Sequence, residues 1–353
     1  MYPQLTIDLN KIKANADALS HLCAQHHIKI MAVTKSFCGD LRIVQALSET
    51  SIDYLADSRI QNLAKYEMFN LPKVLLRLPM LSEIKEVIRY ADYSLNSEPT
   101  VLEALSREAQ AADKQHGLIL MFDLGDLREG ILPQEMDDYL GLILNLPHLY
   151  LAGIGVNLTC YGGIIPDEKN LGQLAQLART IESKYGLSLE IISGGNSSSL
   201  YLLEDESGCP KPINNLRLGE SLVLGRETAF ASPLPNLHTD AFKLECELIE
   251  LKTKGSKPTG QIGRDAFGNV PHFQDRGMIK RGILAIGRQD VDPAHLKPLD
   301  TSIQILGASS DHLILDLSQC REAYRVGDII DFELNYASLL SLFTSPYVSR
   351  VYL

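Results

Sequence analysis

The chain has 353 residues, of which 45% are hydrophobic and 22% charged, and a formal net charge of −11. That charge argues against a nucleic-acid surface, no apolar run reaches the ~18 residues a membrane span needs, and the opening Met1-Tyr2-Pro3-Gln4-Leu5 lacks the basic-then-apolar order of a secretory signal. Six cysteines (Cys23, Cys38, Cys160, Cys209, Cys246 and Cys320) form no CxxC pair, which suits a reducing cytoplasm better than a disulfide or zinc framework.

In chain order, a helix over residues 9–23 opens the sequence, with Asp8 as its N-cap. Apolar strands are then expected at 29–35, 54–58, 73–79, 92–97, 117–125, 149–159, 189–196 and 213–220. Amphipathic helices fit between them at 40–48, 59–69, 81–90, 100–114, 134–144, 168–185 and 197–203. Eight strands alternating with helices predict an α/β fold, a (β/α)8 TIM-type barrel over residues 1–232. A doubly wound sheet is the alternative, but no GxGxxG follows the first strand. Ala231-Ser232-Pro233-Leu234-Pro235 reads as a linker, and beyond it come short strands without long helices, at 243–251, 282–287, 302–306, 311–317 and 329–334. Residues 233–353 are therefore expected to form a C-terminal β domain.

In such a barrel the chemistry collects at the C-terminal ends of the strands. Lys35 ends the first one, where an amine can be desolvated, shift its pKa and form a Schiff base; a strand-capping lysine pointing to solvent is the plainer alternative. The turn Gly194-Gly195-Asn196-Ser197 offers backbone N–H groups and hydroxyls to a phosphate, or else simply caps a helix. Lysine and phosphate cradle on one rim together suggest pyridoxal 5′-phosphate, which needs both.

These segments resemble, in order and spacing, the alanine racemase family of pyridoxal-phosphate enzymes, and within it the alanine/ornithine racemase branch. Ile7-Asp8-Leu9-Asn10-Lys11-Ile12 is similar to the family's first helix, and Ala32-Val33-Thr34-Lys35 to its cofactor-lysine strand. Asp123 to Gly130 resembles the loop whose arginine, here Arg128, faces the substrate carboxylate. Ser193 to Ser197 matches the phosphate turn, and Asn214 to Glu220 the segment whose arginine, here Arg217, meets the pyridine nitrogen and whose glycine is Gly219. Asn335-Tyr336, with Tyr347 to Tyr352, resembles the closing segment whose tyrosine lies near the phosphate; Asn157 replaces a histidine that stacks on the cofactor in relatives. The resemblance implies a cytoplasmic homodimer with shared active sites and an amino-acid substrate, with a basic one favoured over alanine or serine.

The resemblance also implies a racemase with two bases, Lys35 on one face of the substrate and a second group on the other. The family's second base is a β-domain tyrosine, but the corresponding stretch here is Ile262-Gly263-Arg264-Asp265-Ala266-Phe267-Gly268. Asp265, which would have to be partly desolvated, is the candidate replacement, with Asp311-His312 another; a turn aspartate and a strand histidine are the plain alternatives. Asp126, Glu129, Asp265 and Asp311 are candidate anions for a basic side chain, unless they face solvent or pair with arginines. Arginine does not give up its proton, so Arg217 favours reprotonation, hence racemisation, although Glu220 stands close by in sequence. A decarboxylase of the same fold ranks lower because no HxH pair or Gly-Gly-Gly turn is present. A non-enzymatic pyridoxal-phosphate homeostasis protein would resemble the barrel alone. A metal-assisted lyase would need ligand spacing that His272, His295 and His312 lack.

Overall fold

The structure, a computed structural model, describes residues 1–204 and 208–353. Two units divide the chain, one of Leu9–Thr239 and one of Met1–Asp8 with Asp240–Leu353. The chain starts with β1 (Gln4–Ile7), which belongs to the second unit, and enters the first at α1 (Leu9–Gln25). There follow β2 (Lys29–Val33), α2 (Leu41–Ser48), β3 (Tyr54–Asp57), α3 (Ile60–Leu63), β4 (Lys73–Leu75), α4 (Ile84–Tyr90), β5 (Tyr93–Asn96) and α5 (Pro99–Ala111). The unit continues with β6 (His116–Phe122), α6 (Met136–Ile143), β7 (Leu149–Val156), α7 (Glu168–Tyr185), β8 (Ile191–Asn196), a 3-10 segment Ser197–Glu204, β9 (Asn215–Leu218) and α8 (Glu220–Leu224).

The eight strands β2 to β9 close into a barrel in sequence order, and every pair is parallel. Parallel strands wrapped by helices are buried on both faces and so read as continuous apolar runs; every residue of β6 is buried, for example. Met31, Val33, Tyr54, Ala56, Val74, Leu95, Ile119, Met121 and Ile191, from alternate strand positions, fill the interior. The helices end where local chemistry dictates. Asp40 caps α2 through the N–H of Arg42 (3.1 Å) and of Ile43 (3.4 Å). Asp167 and Asn170 form a reciprocal cap on α7, which stops at Gly186 with φ +65°.

The second unit is antiparallel apart from one pair. Its strands are β10 (Phe242–Gly255), β11 (Met278–Leu284), β12 (Leu296–Pro298), β13 (Gln304–Ala308), β14 (Leu313–Asp316) and β15 (Ile329–Leu334), followed by α9 (Tyr336–Thr344) and β16 (Ser349–Tyr352). They pair in the order β12-β15-β10-β11-β14-β13. β1 lies antiparallel to β10 and parallel to β16. Along β10 the residues Phe242, Leu244, Cys246 and Leu248 are buried in strict alternation, the signature of a sheet with one face in a core.

Two boundaries differ from the sequence reading. Residues 4–7, assigned there to the barrel portion, complete the sheet of the second unit. Ala231 to Pro235 is not the linker: the Glu227 carboxylate accepts from the N–H of Ala229 (2.7 Å), Phe230 (3.1 Å) and Ser232 (2.8 Å), and folds the segment into a tight turn. The barrel unit runs on to Thr239, where Asn15 accepts from His238 N (2.7 Å) and donates to His238 O (2.9 Å).

Candidate active site

β2 ends at Val33, and Lys35 opens a 3-10 turn, Lys35–Phe37, so the lysine stands just past the strand rather than within it. Thr34 before it is locked: its hydroxyl receives Tyr66 Oη (2.8 Å) and lies against Ala56 O (3.1 Å) and Asp57 Oδ2 (2.5 Å). Asp57, fully buried, also accepts from Arg59 N (2.8 Å) and Asn62 Nδ2 (3.1 Å). Burial nevertheless raises the Asp57 pKa, and these bonds resist it. The half-buried Lys35 amine has a lowered pKa, first from desolvation and then from the Arg128 and Arg217 charges; Cys160 and Asp57 oppose the shift. The barrel mouth thus presents an amine biased toward its neutral, nucleophilic form.

Arg217 lies on β9, in register with Met31 of the interior layer, and is 3% exposed. Beside it, a Cβ at Gly155 would press on Met121 Sδ at 3.1 Å and Ser193 Cβ at 3.3 Å and would stand in ordinary contact with Arg217 Nη1 at 3.5 Å. The guanidinium donates to Ser193 Oγ, Val156 O (2.7 Å) and Asn157 Oδ1 (2.5 Å), all neutral acceptors. Burial lowers its pKa to about 10. A guanidinium has five N–H donors, so donor capacity is left for a further neutral acceptor such as an aromatic ring nitrogen. Beside it, Asn157 Nδ2 donates to Glu129 Oε1, and Glu129 binds Arg128 through both Nε and Nη2.

The turn after β8 has the features of an anion cradle. Gly195 sits at φ +109°, a conformation that favours glycine. Asn196 is tied down by Leu158 O (2.9 Å) and by Ser198 N (2.8 Å). Ser197 Oγ meets Ser221 Oγ at 3.0 Å and accepts weakly from Gly219 N at 3.4 Å, which joins this turn to the start of α8. Ser198 Oγ and Ser36 Oγ, the latter one residue after Lys35, are buried without a partner among the described residues. Orphaned buried hydroxyls call for a ligand or water. One mouth therefore combines an amine, donors free for a ring nitrogen and hydroxyls free for an anion.

The remaining sequence candidates fall elsewhere. Asp126 is 1% exposed and accepts from the N–H of Cys160 (3.4 Å), Tyr161 (2.9 Å) and Ile164 (3.3 Å); it organises that loop and is not free to meet a substrate ammonium. Glu129, another candidate anion, is committed to Arg128 and Asn157. In the second unit Asp265 is an exposed turn residue accepting from Phe267 N (2.9 Å) and Asn269 N (2.8 Å). The Asn269 N–H, first among its influences, holds its carboxyl below the usual range, opposite to the desolvated state expected of it. Asp311 and His312 are exposed in the turn between β13 and β14. Tyr336 is half-buried and begins α9, behind an Asn335 cap. Pairing with an arginine was among the alternatives the sequence offered for Glu129, and the serines after Gly-Gly-Asn were read there as hydroxyl donors; Ser36 was missed.

Comparison with known proteins agrees with this geometry. Residues 7–227 match the family described as alanine racemase, N-terminal domain. The ornithine racemase of Acetoanaerobium sticklandii is 48% identical over 351 residues, 99% of each chain. The lysine racemase of Thermotoga maritima is 38% identical over 354 residues, 100% of this chain and 99% of its own. Among solved structures, the alanine racemase of Bartonella henselae with covalently bound pyridoxal phosphate superposes with a TM-score of 0.74 at 18% identity, covering 99% of each chain, a likeness of fold. The chain belongs to the alanine racemase family and is a racemase.

Proposed function

We propose that this racemase inverts the α-carbon of a basic amino acid, ornithine before lysine, with pyridoxal 5′-phosphate held covalently at Lys35. The observation that carries the cofactor assignment is the convergence of the depressed Lys35 amine, the spare donors of Arg217 and the unpartnered Ser198 hydroxyl in one mouth. The full-length likeness to an ornithine and a lysine racemase supports the substrate class. Pyridoxal phosphate, when bound, supplies an electron sink that acidifies the substrate Cα–H. Gly195, Asn196, Ser197, Ser198 and Gly219 would hold its phosphate, and Arg217 would donate to the ring nitrogen without surrendering a proton. Arg128 orients the substrate carboxylate, and Lys35, biased toward the neutral amine, takes or returns the Cα proton on one face.

The group on the other face is assigned to Asp265, with Asp311 assigned to substrate binding and Tyr336 to the phosphate. The working unit is a homodimer in which the second unit of one copy covers the barrel mouth of the other. Ile262, Phe267, Val270 and Phe273, exposed by 41, 47, 52 and 39% around Asp265, support such a covering surface. All six cysteines are free, in keeping with a cytoplasmic setting.

Each enantiomer of ornithine, lysine, alanine and serine is to be followed by circular dichroism, with carbon dioxide and ammonia monitored together. Ornithine or lysine is expected to racemise fastest with neither gas released. Faster turnover of alanine would overturn the substrate class, and stoichiometric carbon dioxide would overturn racemisation as the main reaction. Borohydride reduction should place the cofactor adduct on Lys35 in peptide mass spectra; an adduct on another lysine would refute the site.

A further inference from the structure

Among the described residues, Arg217 is a buried cation whose hydrogen-bond acceptors are all neutral, an arrangement that is costly unless a counter-charge stands near. The nearest candidate in the bond network is Glu129, one residue removed: Arg217 Nη2 donates to Asn157 Oδ1, and Asn157 Nδ2 donates to Glu129 Oε1. Glu129 in turn holds Arg128 side-on through Nε and Nη2. The orientation of the Asn157 amide is forced. A guanidinium only donates and a carboxylate only accepts, so the oxygen must face Arg217 and the nitrogen Glu129.

We propose that Glu129 is a positioning residue that, through Asn157, couples Arg128 and Arg217 into one unit of the barrel mouth. The bonds to Glu129 take the Nε edge of Arg128 and leave its Nη1 end for an incoming carboxylate. A carboxylate gripping Arg217 side-on through two further N–H groups would consume the donors that a ring nitrogen needs. Relayed through a neutral amide, the counter-charge still favours the arginine's charged form, and those donors stay free. Glu129 thereby sets how a substrate carboxylate is presented while also compensating the ring-facing arginine. The inference rests on the reading of Arg128 as the substrate's carboxylate partner.

The direction of the relay can be swapped, which gives a test. Glu129→Gln leaves one acceptor oxygen where the carboxylate had two: turned toward Asn157 it abandons Arg128 Nε, and turned toward Arg128 Nε it sets two amide nitrogens face to face. Asn157→Asp alone sets two carboxylates face to face. The double variant Glu129→Gln/Asn157→Asp restores the order at unchanged net charge: the amide now at position 129 donates to the carboxylate now at position 157, which accepts from Arg217. The readouts are KM for the amino acid and, on the cofactor-free protein, the exchange rate of the Arg128 Nε proton by 15N NMR. Each single change should raise KM and speed that exchange by about tenfold or more, and the double should recover to within about threefold of the parent. Additive damage in the double variant, or an unmoved exchange rate in Glu129→Gln, would overturn the coupling. If the exchange rates follow the swap while KM is indifferent to all three variants and to Arg128→Lys, the substrate role of Arg128 falls and the coupling stands.

Discussion

Glu220 begins α8 directly after Gly219, and its half-buried carboxylate takes no hydrogen bond from any described residue. Burial, opposed by Arg226 and reinforced by Glu227, raises its pKa from 4.5 to about 7. A carboxyl group that binds its proton more tightly when folded stabilises the protein below the unfolded pKa and loses that contribution as pH rises through the folded one. At ~1.4 kcal/mol per pKa unit the loss is under about 1 kcal/mol at pH 5 and about 3 kcal/mol at pH 8. Glu220→Gln mimics the protonated form at every pH. It should therefore barely change stability at pH 5 and add about 2–3 kcal/mol at pH 8, or roughly 5–10 °C in Tm for a unit of this size. Thermal unfolding of the cofactor-free protein at both pH values measures it. An equal shift at the two pH values, or destabilisation at pH 8, would show that the carboxylate is solvated and the reasoning wrong.

His116 is buried on β6 against Ser94 Oγ (2.8 Å), and burial first, then Lys114, lowers its pKa from 6.5 to about 4. The unfolded chain takes the proton first, so stability should fall by about 3 kcal/mol as pH drops from 6.5 to 4, and denaturant titrations of His116→Gln should show a flatter slope over that window. Asp126→Asn replaces an acceptor of three backbone N–H groups; about 1–3 kcal/mol of loop stability should go, with faster hydrogen exchange at Tyr161 and Ile164, and unchanged exchange would deny Asp126 its organising role. Asp265 should titrate below the usual carboxylate range in dilute protein, and the proposed assembly should raise its pKa by covering it. A 13C NMR titration that gives one value at all concentrations would remove it as the second base.

Much of the fold was legible because its signals are periodic. The amphipathic pattern at 168–185 coincides with α7, and the runs of Ile, Leu and Val marked each barrel strand to within a few residues. What escaped was short or held by distant partners. β1, β12 and β16 have four, three and four residues, too few for a pattern of period two to stand out. Prolines suggested a linker at 231–235, whereas the turn there is fixed by Glu227, whose role as a backbone acceptor leaves no periodic trace.

The site was legible as residue types and obscure as partnerships. Lys35, Asn157, Arg217 and the Gly195–Ser197 turn all lie in the barrel unit at the strand ends where a barrel places its chemistry. Sequence offered pairing with an arginine as one alternative for Glu129 but could not choose it over a ligand-facing carboxylate, because chain adjacency alone does not aim two side chains at each other. Nor could it tell a carboxylate available to a ligand from one already spent. Asp57, Asp126 and Glu227 look like candidate anions by composition, yet each is at most 2% exposed and is bound by backbone N–H groups. Glu129, bonded to the Arg128 and Asn157 side chains, and Glu220, with no hydrogen bond from a described residue, differ from these three in receiving no backbone N–H.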